Sequence, residues 1–180
     1  MADRLLFESD EDRMRANYAF CLKCGGPLDR RVIKAIEPPR LVCRSCGFVL
    51  FLDPKVAVGT IVTQEGRILL IRRGIEPGYG RWVFPGGFVD RGEWVQDAAV
   101  REALEESGVE IRITRLLDVY SSSGSPVVVI VYVAEAIGGA VGAGDETLNA
   151  RWFAVDEIPW NDLAFPSTTL ALSAFLGMSR

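Results

Sequence analysis

GFVDRGEWVQDAAVREALEESGV, residues 87–109, carries more chemistry than any other stretch of this 180-residue chain. Gly87, Glu93, Arg101, Glu102, Glu105, Glu106 and Gly108 stand at the offsets G-x5-E-x7-R-E-U-x-E-E-x-G-U, with Ala103 and Val109 at the apolar U positions. The spacing predicts a helix from about Trp94 to Ser107. At about 100° per residue, Glu102 and Glu106 lie about 40° apart on that helix, and Glu105 about 60° to the other side. Three carboxylates then share one stripe, where like charges raise each other's pKa values. A helix has little reason to concentrate anions in this way unless cations bind there. Hard oxygen ligands suit Mg2+ or Mn2+, and Mg2+ commonly joins one or two carboxylates to substrate phosphates. Val100, Ala103 and Leu104 are expected to form the apolar face that docks on a sheet, with small Ala98 and Ala99 leaving room beside the carboxylates.

The competing reading is an ordinary acidic surface helix, and REALEES alone would not exclude it. The flanks do. Phe84-Pro85-Gly86-Gly87 reads as a strand end running into a glycine turn, where a backbone carbonyl can approach a metal closely. Gly108 is placed as a helix C-cap.

The ungapped pattern resembles the Nudix box, the signature of enzymes that hydrolyse nucleoside diphosphates linked to another moiety. The resemblance implies an α/β fold, the Nudix α/β/α sandwich with a mixed sheet. It implies Glu105 and Glu106 as the leading Mg2+ or Mn2+ ligands, with Glu102 next and the Gly86 carbonyl as a further ligand. Arg101 would pair with Glu93 and hold the carboxylates in register. Relatives differ on whether the general base lies in the box or in a later loop. Glu146, beside a glycine-rich segment, is the loop candidate, against the reading of a solvated loop acid. Many relatives carry Glu two residues before the Arg-Trp matched by Arg151-Trp152, whereas this chain has Asn149.

All four cysteines fall in two pairs, Cys21-x2-Cys24 and Cys43-x2-Cys46, each followed by glycine. That spacing fits a tetrahedral structural zinc, because four thiolates leave no open position for a catalytic water. A dithiol redox pair and plain buried thiols are the alternatives. A zinc ribbon ahead of the box resembles an arrangement found in some Nudix pyrophosphatases, where the second knuckle leads into a step like Phe51-Leu52-Asp53-Pro54-Lys55. The expected organisation is a polar arm over residues 1–17, a zinc ribbon over 18–52 and a Nudix domain over 53–180.

Composition narrows the chemistry further. With 49% hydrophobic and 24% charged residues, the chain reads as globular. It contains no histidine, which excludes Ser-His-Asp and Cys-His catalysis and leaves proton transfer to carboxylates, water on a metal or, less readily, Lys and Tyr. The net charge of −4 is uneven: residues 21–46 hold six cations against Asp29 and Glu37, so +4, and the rest carries −8. A basic ribbon leaves nucleic acid open as a partner. The apolar run 127–134 is far short of a membrane span and no signal peptide is visible, so the location expected is cytoplasmic and no membrane partner is expected.

Strands are expected over 56–63 and 67–73 around a turn at 64–66, then over 81–89, 111–121, 126–136 and 151–155. A closing helix is expected over 167–178, capped by Ser or Thr. Residues 138–144, rich in Gly and Ala, read as a mobile loop. The apolar strands lack clean alternation, which points to a sheet covered on both faces. Arg72 and Arg73 are candidates for phosphate contact, against exposed strand-end cations. Trp82 and Tyr120, with Phe165, are candidates for stacking on a base or isoalloxazine ring, against ordinary core aromatics.

The substrate implied by resemblance is a nucleoside-diphosphate-linked small molecule, an ADP-containing dinucleotide or nucleotide sugar. NADH pyrophosphatases carry S-Q-P-W-P-F-P-x-S after the box, and residues 117–122 here lack it. ADP-ribose and FAD therefore stand ahead of NADH, with oxidised dGTP a distant fourth. Family habit also implies a possible homodimer. An ADP-ribose-sensing regulatory protein and an RNA end-processing enzyme remain as alternatives.

Overall fold

The computed structural model describes residues 18–178, so the polar arm expected over 1–17 lies outside the described residues. Two compact units divide between Asp53 and Pro54.

The N-terminal unit is a three-stranded antiparallel sheet, β1 (Leu28–Arg31), β2 (Arg40–Cys43) and β3 (Val49–Leu50), in that spatial order. Among the described residues its small core is Cys21, Leu41, Val42, Cys43 and Leu50. Domains with so small a core usually need a metal or disulfides, and the four cysteines offer a place for a metal. Gly25 and Gly47 take positive φ values of 73° and 70° where each knuckle folds back.

The C-terminal unit is built on a six-stranded mixed sheet. Its strands are β4 (Lys55–Gln64), β5 (Arg67–Arg73), β6 (Trp82–Val83), β7 (Val109–Tyr120), β8 (Val127–Gly139) and β9 (Thr147–Phe153). The order is β6-β5-β4-β8-β7, with β9 also on β5. Only β4 and β8 run parallel. Two helices, α1 (Val95–Ser107) and α2 (Pro166–Phe175), complete the unit. On one face Ile61, Leu70, Phe84, Tyr120 and Val131 pack with Ala171 and Leu172 of α2. On the other, Val58, Val62, Leu69 and Ala134 lie in clusters with Ala98, Ala99 and Ala103 of α1. Both faces are covered, which explains the unbroken apolar runs of β4 and β5. Among the described residues no helix is long and apolar enough to cross a membrane.

One feature of the sheet prepares the site. The β4–β5 hairpin pairs only at Thr63↔Ile68 and Gln64↔Arg67, after which the strands part. Residues 82–89 cross this fork. Trp82 and Val83 pair with β5, and then the carbonyls of Pro85 and Gly87 accept from Thr60 N and Val58 N of β4 at 2.9 and 2.8 Å. The strand expected over 81–89 is therefore a two-residue strand followed by a glycine-rich segment that borrows its hydrogen bonds from β4.

Three further expectations are corrected. The docking face of α1 is Ala98, Ala99 and Ala103 with Glu106 and Ser107, while Val100 and Leu104 are 37% and 48% exposed. Sequence hydrophobicity favoured the larger side chains, but close approach to the sheet selects the smaller ones. Helix α2 starts without a side-chain cap: Phe165 is its N-cap and Pro166 its first residue, a position that needs no N–H. The segment expected to be a mobile loop is partly strand, since β8 runs to Gly139, and its remainder is pinned to the end of α1 by Gly142 N→Ser107 O and Gly144 N→Glu106 O at 3.0 and 3.3 Å. Glycine serves close approach there: a Cβ on Gly144 would collide with the Glu105 carbonyl.

Candidate active site

Arg101 is the hub of the box. Its Nε and Nη2 donate to the two carboxylate oxygens of Glu93 at 2.8 and 3.0 Å, a bidentate pair. Its Nη1 donates to Glu102 Oε1 at 2.8 Å and Glu105 Oε2 at 3.2 Å, and Nη2 also reaches the Phe88 carbonyl at 3.2 Å. One planar cation thus ties the helix to the loop before it. The Arg101 hydrogen bonds, and next the Asp90 N–H, pull Glu93 down to about 2. Glu93 foremost, and then Glu102, hold the guanidinium above its usual range against the effect of burial.

Glu106 faces inward, 9% exposed, and its Oε2 accepts from Gly86 N at 2.7 Å. Burial pushes its pKa up to about 7, against the Gly86 hydrogen bond; the charges of Glu102 and Glu146 add to the rise and Arg73 opposes it. Burial likewise raises Glu102, with Arg101 opposing and Glu105 and Glu146 adding. Two adjacent glycines lie in close contact here. A Cβ on Gly86 would collide with the Val58 carbonyl, and one on Gly87 with the Glu102 carboxylate. The stripe therefore holds more negative charge than Arg101 neutralises, in a partly dry setting made of oxygen donors. That donor set fits a hard divalent cation and gives a soft one no preferred ligand.

Of the remaining expected residues, Glu146 and Arg73 act on this stripe, while Trp82 and Tyr120 pack in the α2-side cluster. Glu146 is exposed, yet it lies near enough for its charge to be felt at Glu102 and Glu106. Its carbonyl accepts from Gly74 N at 2.8 Å. The charge of Arg73 also reaches Glu106, and its guanidinium lies 5.2 Å from the Phe165 ring centre. Arg73 Nε and Arg72 Nε donate to the carbonyls of Pro77 and Gly80 at 2.8 and 2.7 Å, which braces the loop after β5. Trp82 packs edge-on against Phe153 with ring centres 4.9 Å apart, and Tyr120 is buried in the α2-side core. Asn149 sits opposite Arg72 in the β5–β9 register. Two residues that sequence reasoning passed over, Gly74 and Thr147, hold the Glu146 backbone in place.

In the N-terminal unit the four Sγ atoms of Cys21, Cys24, Cys43 and Cys46 all lie within 4.8 Å of one another. The closer pairs, Cys24–Cys43 and Cys21–Cys46, are 3.5 and 3.8 Å apart. A tetrahedral zinc with Zn–S of about 2.3 Å requires sulfur–sulfur edges of about 3.8 Å. Disulfides are far shorter, at about 2.05 Å. Backbone N–H bonding, first from Cys46, draws Cys43 down to about 6, while Cys24, against the Gly26 N–H, is pushed up to about 12 by the sulfurs of Cys46 and Cys43; without a cation the crowded quartet shares protons unevenly.

Comparison with known proteins agrees with this geometry. Residues 53–172 match the NUDIX domain family. The chain belongs to the Nudix family. Residues 19–51 match the N-terminal zinc ribbon of Nudix proteins, described as Nudix N-terminal. Among relatives of this Nudix hydrolase, an ADP-ribose pyrophosphatase of Methanocaldococcus jannaschii is 41% identical over 114 residues, 61% of this chain and 68% of that one. An NAD-capped RNA hydrolase of Stutzerimonas stutzeri is 30% identical over 152 residues, 80% of this chain and 51% of that one. The chain thus spans about half the length of that relative. A solved Nudix hydrolase from Nitrosomonas europaea superposes with a TM-score of 0.84 at 35% identity, covering 88% of this chain and 90% of that one. The protein is a Nudix pyrophosphohydrolase, and enzymes of this family use a divalent metal.

Proposed function

We propose that this Nudix enzyme hydrolyses the diphosphate bond of an ADP-containing dinucleotide or nucleotide sugar with Mg2+ or Mn2+, releasing AMP. ADP-ribose and FAD stand ahead of NADH. The observation that carries the reading is the carboxylate stripe of Glu102, Glu105 and Glu106, closed on one side by the Gly86 N–H and on the other by Arg101. Likeness to an ADP-ribose pyrophosphatase supports the ADP moiety.

In this reading Glu105 and Glu106 are the principal metal ligands, Glu102 joins them, and the Gly86 carbonyl adds a backbone oxygen. When bound, the metal supplies charge neutralisation at the diphosphate and activation of the attacking water. Arg101 and Glu93 are positioning residues: they keep the free carboxylates from splaying under mutual repulsion. Arg73 offers its Nη groups to phosphate oxygens, since its Nε is already spent on Pro77. Glu146 accepts the proton of the attacking water, held near the stripe by its backbone. Zinc in the cysteine quartet is structural.

The test is product analysis by mass spectrometry on purified protein with Mg2+ or Mn2+, offered ADP-ribose, FAD, NADH and 8-oxo-dGTP beside an E105Q control. AMP from the wild type and not from the control supports the reading and ranks the substrates. Binding of one compound without turnover would replace it with the ADP-ribose-sensing reading.

A second reading has its own observation. The NAD-capped RNA hydrolase alignment covers 80% of this chain, more than the C-terminal unit can supply, so it draws in part of the basic ribbon. An RNA end-processing activity would show turnover of 5′-NAD-capped RNA that falls steeply with salt, because phosphate contacts release counterions. A homodimer rests on family habit alone, and a monomeric mass in solution would remove it.

A further inference from the structure

We infer that Thr147 is a positioning residue for the hydrolytic site: its buried hydroxyl clamps the turn that carries Glu106 to the loop that carries Glu146. Thr147 is 7% exposed, and its Oγ1 lies 3.1 Å from the Glu106 carbonyl and 3.2 Å from the Gly144 carbonyl. A hydroxyl has one proton to donate, so it is shared between two acceptors on two different elements. Those acceptors are chosen by position. The Glu106 carbonyl belongs to the last turn of α1, whose carbonyls have no intrahelical partner.

The neighbours hold this turn as well. Gly108, at φ 69°, returns its N–H to Leu104 O at 2.8 Å. Gly142 N and Gly144 N cover the carbonyls of Ser107 and Glu106. Gly144 has no room for a Cβ against the Glu105 carbonyl, so the loop backbone lies directly on the helix backbone. Beyond the clamp, Gly74 N holds Glu146 O, and a Cβ on Gly74 would stand 2.9 Å from that oxygen. Glu146 is thereby fixed through its own carbonyl and through its successor's side chain. Its side chain remains exposed while its backbone carbonyl is held by Gly74 N. The distance between Glu146 and the box carboxylates is set by Thr147, at the first residue of β9.

This inference rests on the reading of the stripe as a divalent-metal site and is independent of the substrate assigned to it. The decisive comparison uses the full chain as wild type, T147V and T147S. Valine keeps the β-branched shape and removes the proton donor; serine keeps the donor and removes a methyl group. Mn2+ binding is read by electron paramagnetic resonance, kcat and KM on whichever dinucleotide the wild type turns over, and folding by thermal melting. Loss of such supporting contacts commonly costs 10–100-fold. The expected result is Mn2+ binding about tenfold weaker and kcat about tenfold lower in T147V, KM little changed, and both restored in T147S. A Thr147 that serves stability alone lowers the melting temperature of T147V and leaves Mn2+ affinity unchanged. Equal Mn2+ dissociation constants in wild type and T147V, absence of binding by both included, overturn the inference. Failure to hydrolyse any dinucleotide overturns the substrate assignment and leaves the Mn2+ comparison to decide Thr147.

Discussion

The Gly86 amide donates to Glu106 Oε2 at 2.7 Å, joining a backbone turn in the fork of the sheet to the carboxylate that α1 buries. The next glycine meets the other carboxylate, because the side of Gly87 is filled by Glu102. Two adjacent glycines therefore fail differently when a methyl group is added.

G86A pushes a Cβ into the Val58 carbonyl, a backbone group that cannot give way. It is expected to lower stability by about 1–3 kcal/mol, the usual cost of overpacking, as read by urea denaturation. G87A meets only the end of a flexible side chain. It is expected to melt near the wild-type temperature while losing metal-dependent activity as Glu102 is displaced. Equal stability losses in the two variants would sink this distinction.

Arg101→Lys keeps the charge and loses the fork. Lysine cannot grip both Glu93 oxygens while reaching Glu102 and Glu105. A fall of about 10–100-fold in kcat is expected, with weaker Mn2+ binding. Wild-type turnover by R101K would show that charge alone suffices.

Glu93 sets an acid-side prediction. Its folded value of about 2 lies below the ordinary 4.5, so the unfolded chain takes up the proton first. The contribution of Glu93 is complete above about pH 4.5 and is lost as pH falls toward 2. Urea midpoints measured across that window should fall more steeply for wild type than for E93Q. Parallel profiles would count against the Arg101 pairing as their source.

The cysteine quartet predicts one zinc per chain, released by a strong chelator and detected with a colorimetric zinc dye. Chelation should abolish the N-terminal sheet signals in amide-exchange experiments on the full chain, since its apolar core is small. C24S should retain substoichiometric zinc at most. Full protection of residues 40–43 after chelation would assign the quartet to another role.

Much of the active region was legible because spacing alone carries it. The offsets of Glu102, Glu105 and Glu106 fix their angular relation on any α-helix, and paired CxxC knuckles bring thiols together in any ribbon. The docking face of α1 was not legible. Val100 and Leu104 outrank alanine on any hydrophobicity scale, and only the nearby sheet makes Ala98, Ala99 and Ala103 the better fit. The glycines of residues 138–144 misled for a related reason. A glycine needed for close contact and one that loosens a loop are the same letter, and only the partner backbone tells them apart. Thr147 left no local signal, because the carbonyl that gives it meaning is 41 residues away.

The alanine face of α1 has a consequence for anyone who would retune this enzyme. Ala98, Ala99 and Ala103 act as a shim, setting how low the helix rides over β4 and β8. The height of the carboxylates above the strands is thus written in residues that bear no charge. Adding one methyl group beneath Ala99 would raise the whole rack at once, leaving every glutamate intact and none of them at its former elevation.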